Sequence, residues 1–133
     1  MNREIKFRVW NNNTSRYESK GFLSSSSEID KSYVLRGVMD FYQNEDDYSD
    51  DGENVVFEQF TGLKDKNGVE IYEGDVLTYH NGSGPNKLVE YNPDKGFYRC
   101  KFNKGGGFID TLFYYIERGC EVIGNIHENP ELL

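Results

Sequence analysis

An acidic stretch in the first half of the chain has the residue spacing of a calcium-binding loop. The oxygen ligands would come from the first, third, fifth and twelfth positions of the loop, namely Asp47, Ser49, Asp51 and Glu58. A hard cation requires clustered oxygens of this kind. The context argues against the site, because Val55–Phe60 has the alternating pattern of a strand where a calcium loop needs an exiting helix. A solvated acidic loop is the favoured interpretation, and calcium is a minor alternative.

Histidine and cysteine are few and widely separated in this sequence. They stand singly at His80, Cys100, Cys120 and His127. A structural zinc site needs four nitrogen or sulfur ligands, usually in paired clusters. A Cys/His nucleophile pair would need folding to bring two of these residues together, whereas burial as a small hydrophobe is the commoner fate of cysteine. We therefore expect no metal site, no cofactor and no catalytic residue.

The stretch TGLKDKNGVEIYEGDVL, from Thr61 to Leu77, combines turn-forming residues with two lysines. Its glycines are too far apart for a phosphate-binding Walker loop, and a strand follows where that loop requires a helix. Asn67-Gly68 supplies the positive φ angles of a tight hairpin turn. Gly74-Asp75 predicts a second turn, which the Asp75 carboxylate would stabilise by accepting a backbone N–H. The stretch is predicted to be an architectural double turn.

The densest basic group lies among aromatic residues in the second half of the chain. Its proposed members are Lys87, Arg99, Lys101, Lys104, Phe97 and Tyr98. Aromatic rings interleaved with cations can stack the bases of single-stranded nucleic acid and hold its phosphates. The alternative is a β-barrel core with solvated lysines between the aromatic residues, and the strand periodicity favours that interpretation.

The composition limits the possible partners. The chain of 133 residues fits one domain and carries a net charge of −8, with six acidic residues between Glu45 and Glu53. A negative surface repels phosphate backbones, so nucleic acid is the less favoured partner. Neither a signal peptide nor a run long enough to cross a membrane is evident, and reduced thiols in the cytoplasm are expected.

Short strands separated by turns dominate the predicted elements. We expect a hairpin from Arg3 to beyond Arg16, a strand over Val55–Phe60 with Val55, Phe57 and Gln59 on one face, and a strand pair at Lys87–Tyr91 and Gly96–Phe102. A short helix is predicted over Thr111–Arg118, capped by Asp110 and ended by Gly119. Its predicted buried residues are Leu112, Tyr115 and Ile116.

Three blocks of the sequence resemble those of the YopX family, which is encoded by bacteriophages and prophages. They are REIKFRVW near the start, TGLKDKNGVEIYEGDVL in the middle and EVIGNIHENPELL at the end. The resemblance covers most of the chain and implies a mainly β fold with a small barrel, but no established activity. His127 stands where similar proteins often carry an aromatic residue, which speaks against a catalytic role.

These observations together predict one YopX-like domain over residues 1–133. Residues 1–54 would form the N-terminal hairpin and a variable acidic loop, and residues 55–133 a small SH3-like, partly open β-barrel. The expected function is that of a non-catalytic module that binds a host or phage protein in the cytoplasm. Nucleic-acid binding is the main alternative, and an enzyme of unknown class is a weaker one. Pairing of open sheet edges favours a homo-oligomer.

Overall fold

The computed structural model describes residues 4–17, 55–79, 84–102 and 110–133. Several predicted site residues lie outside these ranges: Asp47, Ser49, Asp51, His80 and Lys104. The chain divides into two compact units, Met1–Gly62 and Leu63–Leu133.

The first unit contains the predicted N-terminal hairpin. Strand β1 (Phe7–Asn11) pairs antiparallel with β2 (Arg16–Tyr17), and on its other side with β3 (Val55–Lys64). The strand order of this sheet is β2-β1-β3-β4, and β4 (Glu70–Tyr72) consists of residues of the second unit. The strand that starts at Val55 therefore begins beside the hairpin and not in the barrel sheet.

Both faces of the β1–β3 ladder in the first unit carry buried side chains. Val9 lies on the apolar face that alternation predicts, and it is buried. On the opposite face, Trp10, Glu58 and Phe60 are buried as well. The prediction that Phe57 and Gln59 share one face of β3 is confirmed by the register, which places them with Phe7 and Val9, and Phe57 is half-buried there. Alternation identifies which residues share a face, but it does not say which face is covered.

The second unit is a curled, half-barrel sheet, and the prediction of a mainly β fold is confirmed. Its strands are β5 (Asp75–Thr78), β6 (Lys87–Asn92), β7 (Phe97–Phe102), β8 (Asp110–Thr111) and β9 (Glu121–Asn125). Their spatial order is β8-β7-β6-β5-β9, with the ladders β5–β6, β5–β9, β6–β7 and β7–β8 all antiparallel. A β-bulge between Val76 and Leu77 shifts the register of β5 against β9.

Helix α1 (Leu112–Glu117) covers one face of this sheet, and a 3-10 helix follows near the end at Pro130–Leu132. The hydroxyl of Thr111 caps α1 by accepting the N–H of Tyr114 at 3.2 Å. The predicted cap, Asp110, instead lies in β8. Gly119 follows the helix with φ of 73°, as predicted from its type. Leu112 and Tyr115 join a core that includes Ile71, Leu77, Val89, Cys100 and Cys120, while Ile116 is only partly buried against it.

Candidate functional sites

The Asp65 carboxylate organises the first turn of the Thr61–Leu77 stretch. Its Oδ1 accepts the N–H groups of Asn67 and Val69 at 2.8 and 2.9 Å, and its Oδ2 accepts the N–H of Val122 at 2.9 Å. Gly68 closes the turn with φ of 81° and donates its N–H to the Asp65 carbonyl. An acidic side chain used in this way satisfies buried amides, and its oxygens are already engaged by the protein.

A second carboxylate shapes the second turn. The Oδ2 of Asp75 accepts the N–H of Tyr72 at 2.8 Å, and Asp75 is buried. Gly74 has φ of 85°, and both of its backbone groups are bonded, the N–H to Val89 and the carbonyl to Ile126. The structure thus places Asn67, Gly68, Gly74 and Asp75 at two turns, and the carboxylate that joins the first turn to β9 is Asp65. Sequence reasoning missed Asp65 because its partner Val122 is 57 residues away.

Strand β9 lies at the edge of the half-barrel sheet, and side chains cap its outer amides. Asp65 accepts the N–H of Val122, and the amide oxygen of Asn129 accepts the N–H of Asn125 at 3.3 Å. The Lys66 N–H donates to the carbonyl of Cys120, just before the strand. Exposed edge groups are the usual template for pairing with another chain. These two amides of the β9 edge are therefore not available for strand pairing, and the homo-oligomer stays a prediction.

Lys87 is enclosed in the core, although it is a member of the predicted nucleic-acid face. Only 1% of its surface is exposed, and its ammonium donates to the carbonyl of Pro85 at 2.8 Å. The rings of Tyr79, Phe102 and Tyr115 have their centroids 3.9, 4.9 and 5.0 Å from Nζ. Burial lowers the pKa of Lys87 from its usual value. The rings and the Pro85 carbonyl act in the opposite direction, because both stabilise the charged ammonium of Lys87.

The other predicted members of that face divide between the two sides of the β6–β7 ladder. The register pairs Lys87 with Phe102, Val89 with Cys100 and Tyr91 with Tyr98, which places Tyr98 on the core side. Phe97, Arg99 and Lys101 alternate to the opposite side. The structure does not bring the six residues together: Lys87 and Tyr98 face inward, and Lys104 lies outside the described ranges. The prediction of a single basic and aromatic face is wrong for Lys87 and Tyr98.

The two cations on the outer side of β7 share one carboxylate. Glu90 accepts from Arg99 Nε at 2.6 Å and pairs with Lys101 Nζ at 3.0 Å. Burial alone would raise the pKa of Glu90, but the hydrogen bonds and charges of Lys101 and Arg99 lower it below the usual value. Glu90 thus offsets part of the positive charge that a phosphate backbone would need.

A pair of tyrosines forms a partly exposed aromatic patch on the core side of the same ladder. Tyr91 and Tyr98 meet edge to face, with ring centroids 5.3 Å apart. Tyr98 packs against the core, whereas 44% of Tyr91 is exposed. The patch lies at the end of β6 and β7 that the hairpin turn joins. Helix α1 covers the opposite end of these strands, around Lys87. Sequence reasoning missed Tyr91, although its alternation with Lys87 and Val89 was a usable signal.

Glu58, the twelfth position of the calcium-loop spacing, is engaged by side chains of the first unit, whereas the other three positions lie outside the described residues. It is 3% exposed, lies opposite Arg8 in the β1–β3 register, and accepts the hydroxyl of Tyr17 at 2.9 Å. Arg8 Nε lies 3.3 Å from Glu58 Oε1, and its guanidinium stacks 4.7 Å from the ring centre of Tyr17. Burial raises the pKa of Glu58, and the charge of Arg8 and the bond from Tyr17 only partly lower it. One carboxylate thereby joins three strands of the first unit.

The cysteines and His127 serve as packing or turn residues in the second unit. Cys100 and Cys120 are free thiols with no exposed surface, and burial raises the pKa of Cys120 to about 11. A thiol with a raised pKa is a poor nucleophile at neutral pH. The N–H of His127 donates to the Asn125 side chain within the last turn. Within the described ranges, no cluster of three or more His, Cys, Asp or Glu could hold a metal ion.

Comparison with known proteins assigns the chain to a family. The YopX protein family model matches residues 6–133. The chain belongs to the YopX family. The YopX fold seen here is similar to the crystal structure of protein EF1440 from Enterococcus faecalis, with a TM-score of 0.55, 25% identity and 97% of each chain covered. No curated protein matches this YopX chain. None of the helices in the described residues is long and apolar enough to cross a membrane.

Proposed function

We propose that this YopX chain is a non-catalytic, protein-binding module of a bacteriophage or prophage, and that it contacts a host or phage protein in the bacterial cytoplasm. The exposed Tyr91, which meets the partly buried Tyr98 edge to face, is the observation that supports a protein partner most directly. Tyrosine is enriched at the energetic centres of protein interfaces, because its ring buries a large area at a small cost in side-chain entropy. A ring that is anchored on a second ring loses still less freedom on binding.

The chemically versatile groups described above support the non-catalytic part of the proposal. Asp65 accepts three backbone N–H groups, and Glu58 is held by Arg8 and Tyr17. The Lys87 ammonium donates to a carbonyl inside an aromatic cage. Each group already has a structural role, whereas a catalytic group must be positioned against a substrate.

Nucleic-acid binding is the second candidate function, and Arg99 and Lys101 are the residues that favour it. They lie on one side of β7, with Phe97 between them and the hairpin turn. Glu90 pairs with both cations, and the net charge of the chain is −8. These charges make the nucleic-acid interface the weaker candidate, because phosphate contacts supply most of the affinity in non-specific complexes.

Site-specific photocrosslinking in bacterial cells tests the proposed function. The photoreactive residue p-benzoylphenylalanine replaces Tyr91 in one variant and Glu117, which is exposed on α1, in a matched control. We expect a discrete, nuclease-resistant protein adduct from position 91 and none from position 117. An adduct that disappears after nuclease treatment would support the nucleic-acid candidate instead. Equal adducts from both positions, or none from position 91, would contradict the proposal.

A further inference from the structure

Cations stacked on aromatic rings recur in the described parts of this chain. The pairs are Lys6 on Phe60 at 4.7 Å, Arg8 on Tyr17 at 4.7 Å, Lys87 on Tyr79 at 3.9 Å and Arg118 on Tyr114 at 3.4 Å. Tyr91 differs from these rings. Its ring meets Tyr98 edge to face, and across residues 4–17, 55–79, 84–102 and 110–133 no cation lies over it. The negative face of an aromatic ring is the part that attracts a cation.

The charge of the second unit favours a cationic partner at this ring. Residues 63–133 carry eleven acidic and eight basic side chains, of which Asp65, Asp75 and Lys87 are buried, so the acidic side chains still outnumber the basic ones. On the reverse side of the β6–β7 ladder, Arg99 and Lys101 are already paired with Glu90. A negative protein raises the rate at which a basic partner is encountered and disfavours an acidic one.

Strand addition is a less suitable way to bind a peptide on this sheet. Asp65 and Asn129 accept the N–H groups of Val122 and Asn125, so these amides of the β9 edge are not available to a partner strand. Recognition through side chains is the alternative to strand addition at β9, and Tyr91 is the most exposed aromatic residue of the sheet strands described.

We infer that Tyr91 is a docking point for a basic protein segment, which places an arginine or lysine side chain against the open face of its ring. This inference rests on the proposed protein-binding function and specifies the chemistry of the partner. The edge-to-face contact with Tyr98 restricts the Tyr91 ring before the partner arrives. Cation–π contacts with arginine are common at such sites because the planar guanidinium stacks on the ring.

Titration with short blocked peptides tests the inference. The probe alternates arginine with glycine, and its matched control replaces each arginine with citrulline, which keeps the shape but removes the charge. Binding is followed by NMR on the intact chain and on two variants, Tyr91→Phe and Tyr91→Leu. We expect the arginine peptide to shift the Tyr91 ring signals, with similar affinity for Tyr91→Phe and about two- to five-fold weaker binding to Tyr91→Leu, the range for an exposed cation–π contact.

Three outcomes would overturn the inference. They are equal binding of the citrulline and arginine peptides, undiminished binding to Tyr91→Leu, and preferential binding of a neutral proline-rich peptide. The dispersion of the amide NMR signals of Tyr91→Leu, compared with that of the parent, shows whether the variant is folded and hence whether a loss of binding is local. If these peptides fail while the crosslink from position 91 still captures a protein, the basic partner is wrong and the proposed function stands. If the crosslink captures no protein, the proposed function fails independently of the peptide result.

Discussion

Replacing Asp65 with alanine should destabilise the second unit more than any other single change to a carboxylate in its turns. The side chain accepts three backbone N–H groups, from Asn67, Val69 and Val122, at 2.8 to 2.9 Å. Asp65 is only 7% exposed, so water cannot fully replace the lost acceptor. The substitution therefore leaves donors unsatisfied in the turn and also at the edge of β9.

The size of the effect follows from the number and kind of these bonds. A hydrogen bond to a charged group contributes about 1.5–3 kcal/mol, and the contributions of neighbouring bonds are not additive. We expect Asp65→Ala to lower the free energy of unfolding by about 3–5 kcal/mol, which is a large part of the 5–15 kcal/mol typical of a domain. Asp65→Asn should cost roughly half as much, because one carbonyl oxygen still accepts.

Urea unfolding followed by far-ultraviolet circular dichroism measures the loss, and amide hydrogen exchange locates it. Faster exchange is expected at Asn67, Val69 and Val122. Asp94→Ala is the matched control, because Asp94 is exposed in the β6–β7 turn. Its bond to the Asn92 side chain is donated by the backbone N–H, which the alanine variant keeps. Equal urea midpoints for Asp65→Ala and Asp94→Ala would refute this reasoning. Unchanged exchange at Val122 would show that the carboxylate does not protect the β9 edge.

Further substitutions test the second turn, the contact between β9 and Asn129, and the buried carboxylate of the first unit. Gly74→Val should lower the free energy of unfolding by roughly 1 kcal/mol or more, because φ of 85° is strained for a branched residue; an unchanged melting temperature would count against it. Gly124→Ala should also destabilise, since its Cβ would lie 2.5 Å from Asn129 Oδ1, and adding Asn129→Gly should recover part of the melting temperature. Because the pKa of Glu58 is raised by burial, its contribution is present below its unfolded value and is lost as the pH rises through the folded one. The stability of Glu58→Gln relative to the parent, measured by urea unfolding, should therefore increase as the pH is raised above 4.5, the usual pKa of the group, and a constant difference would contradict this.

Local sequence signals determined the turns and most element positions. Gly68, Gly74 and Gly119 all mark chain reversals where φ is positive, and this preference belongs to the residue itself. The expectation of a positive φ at both residues of Asn67-Gly68 is wrong for Asn67. The hairpin Phe7–Tyr17, the β6–β7 pair and helix α1 were likewise predictable, because alternation and capping act over a few residues. The blocks that resemble the YopX family contain many of these turns.

The use of individual charged side chains was decided by the tertiary structure. The alternation of β6 correctly places Lys87 on the same side as Val89, but only the packing of α1 and Tyr79 makes that side the interior at Lys87. Glu58 became a buried partner of Arg8 because β3 pairs with β1 across 50 residues of sequence. A sequence pattern specifies the faces of a strand, whereas burial depends on what the rest of the chain places against each face, and that information is nonlocal.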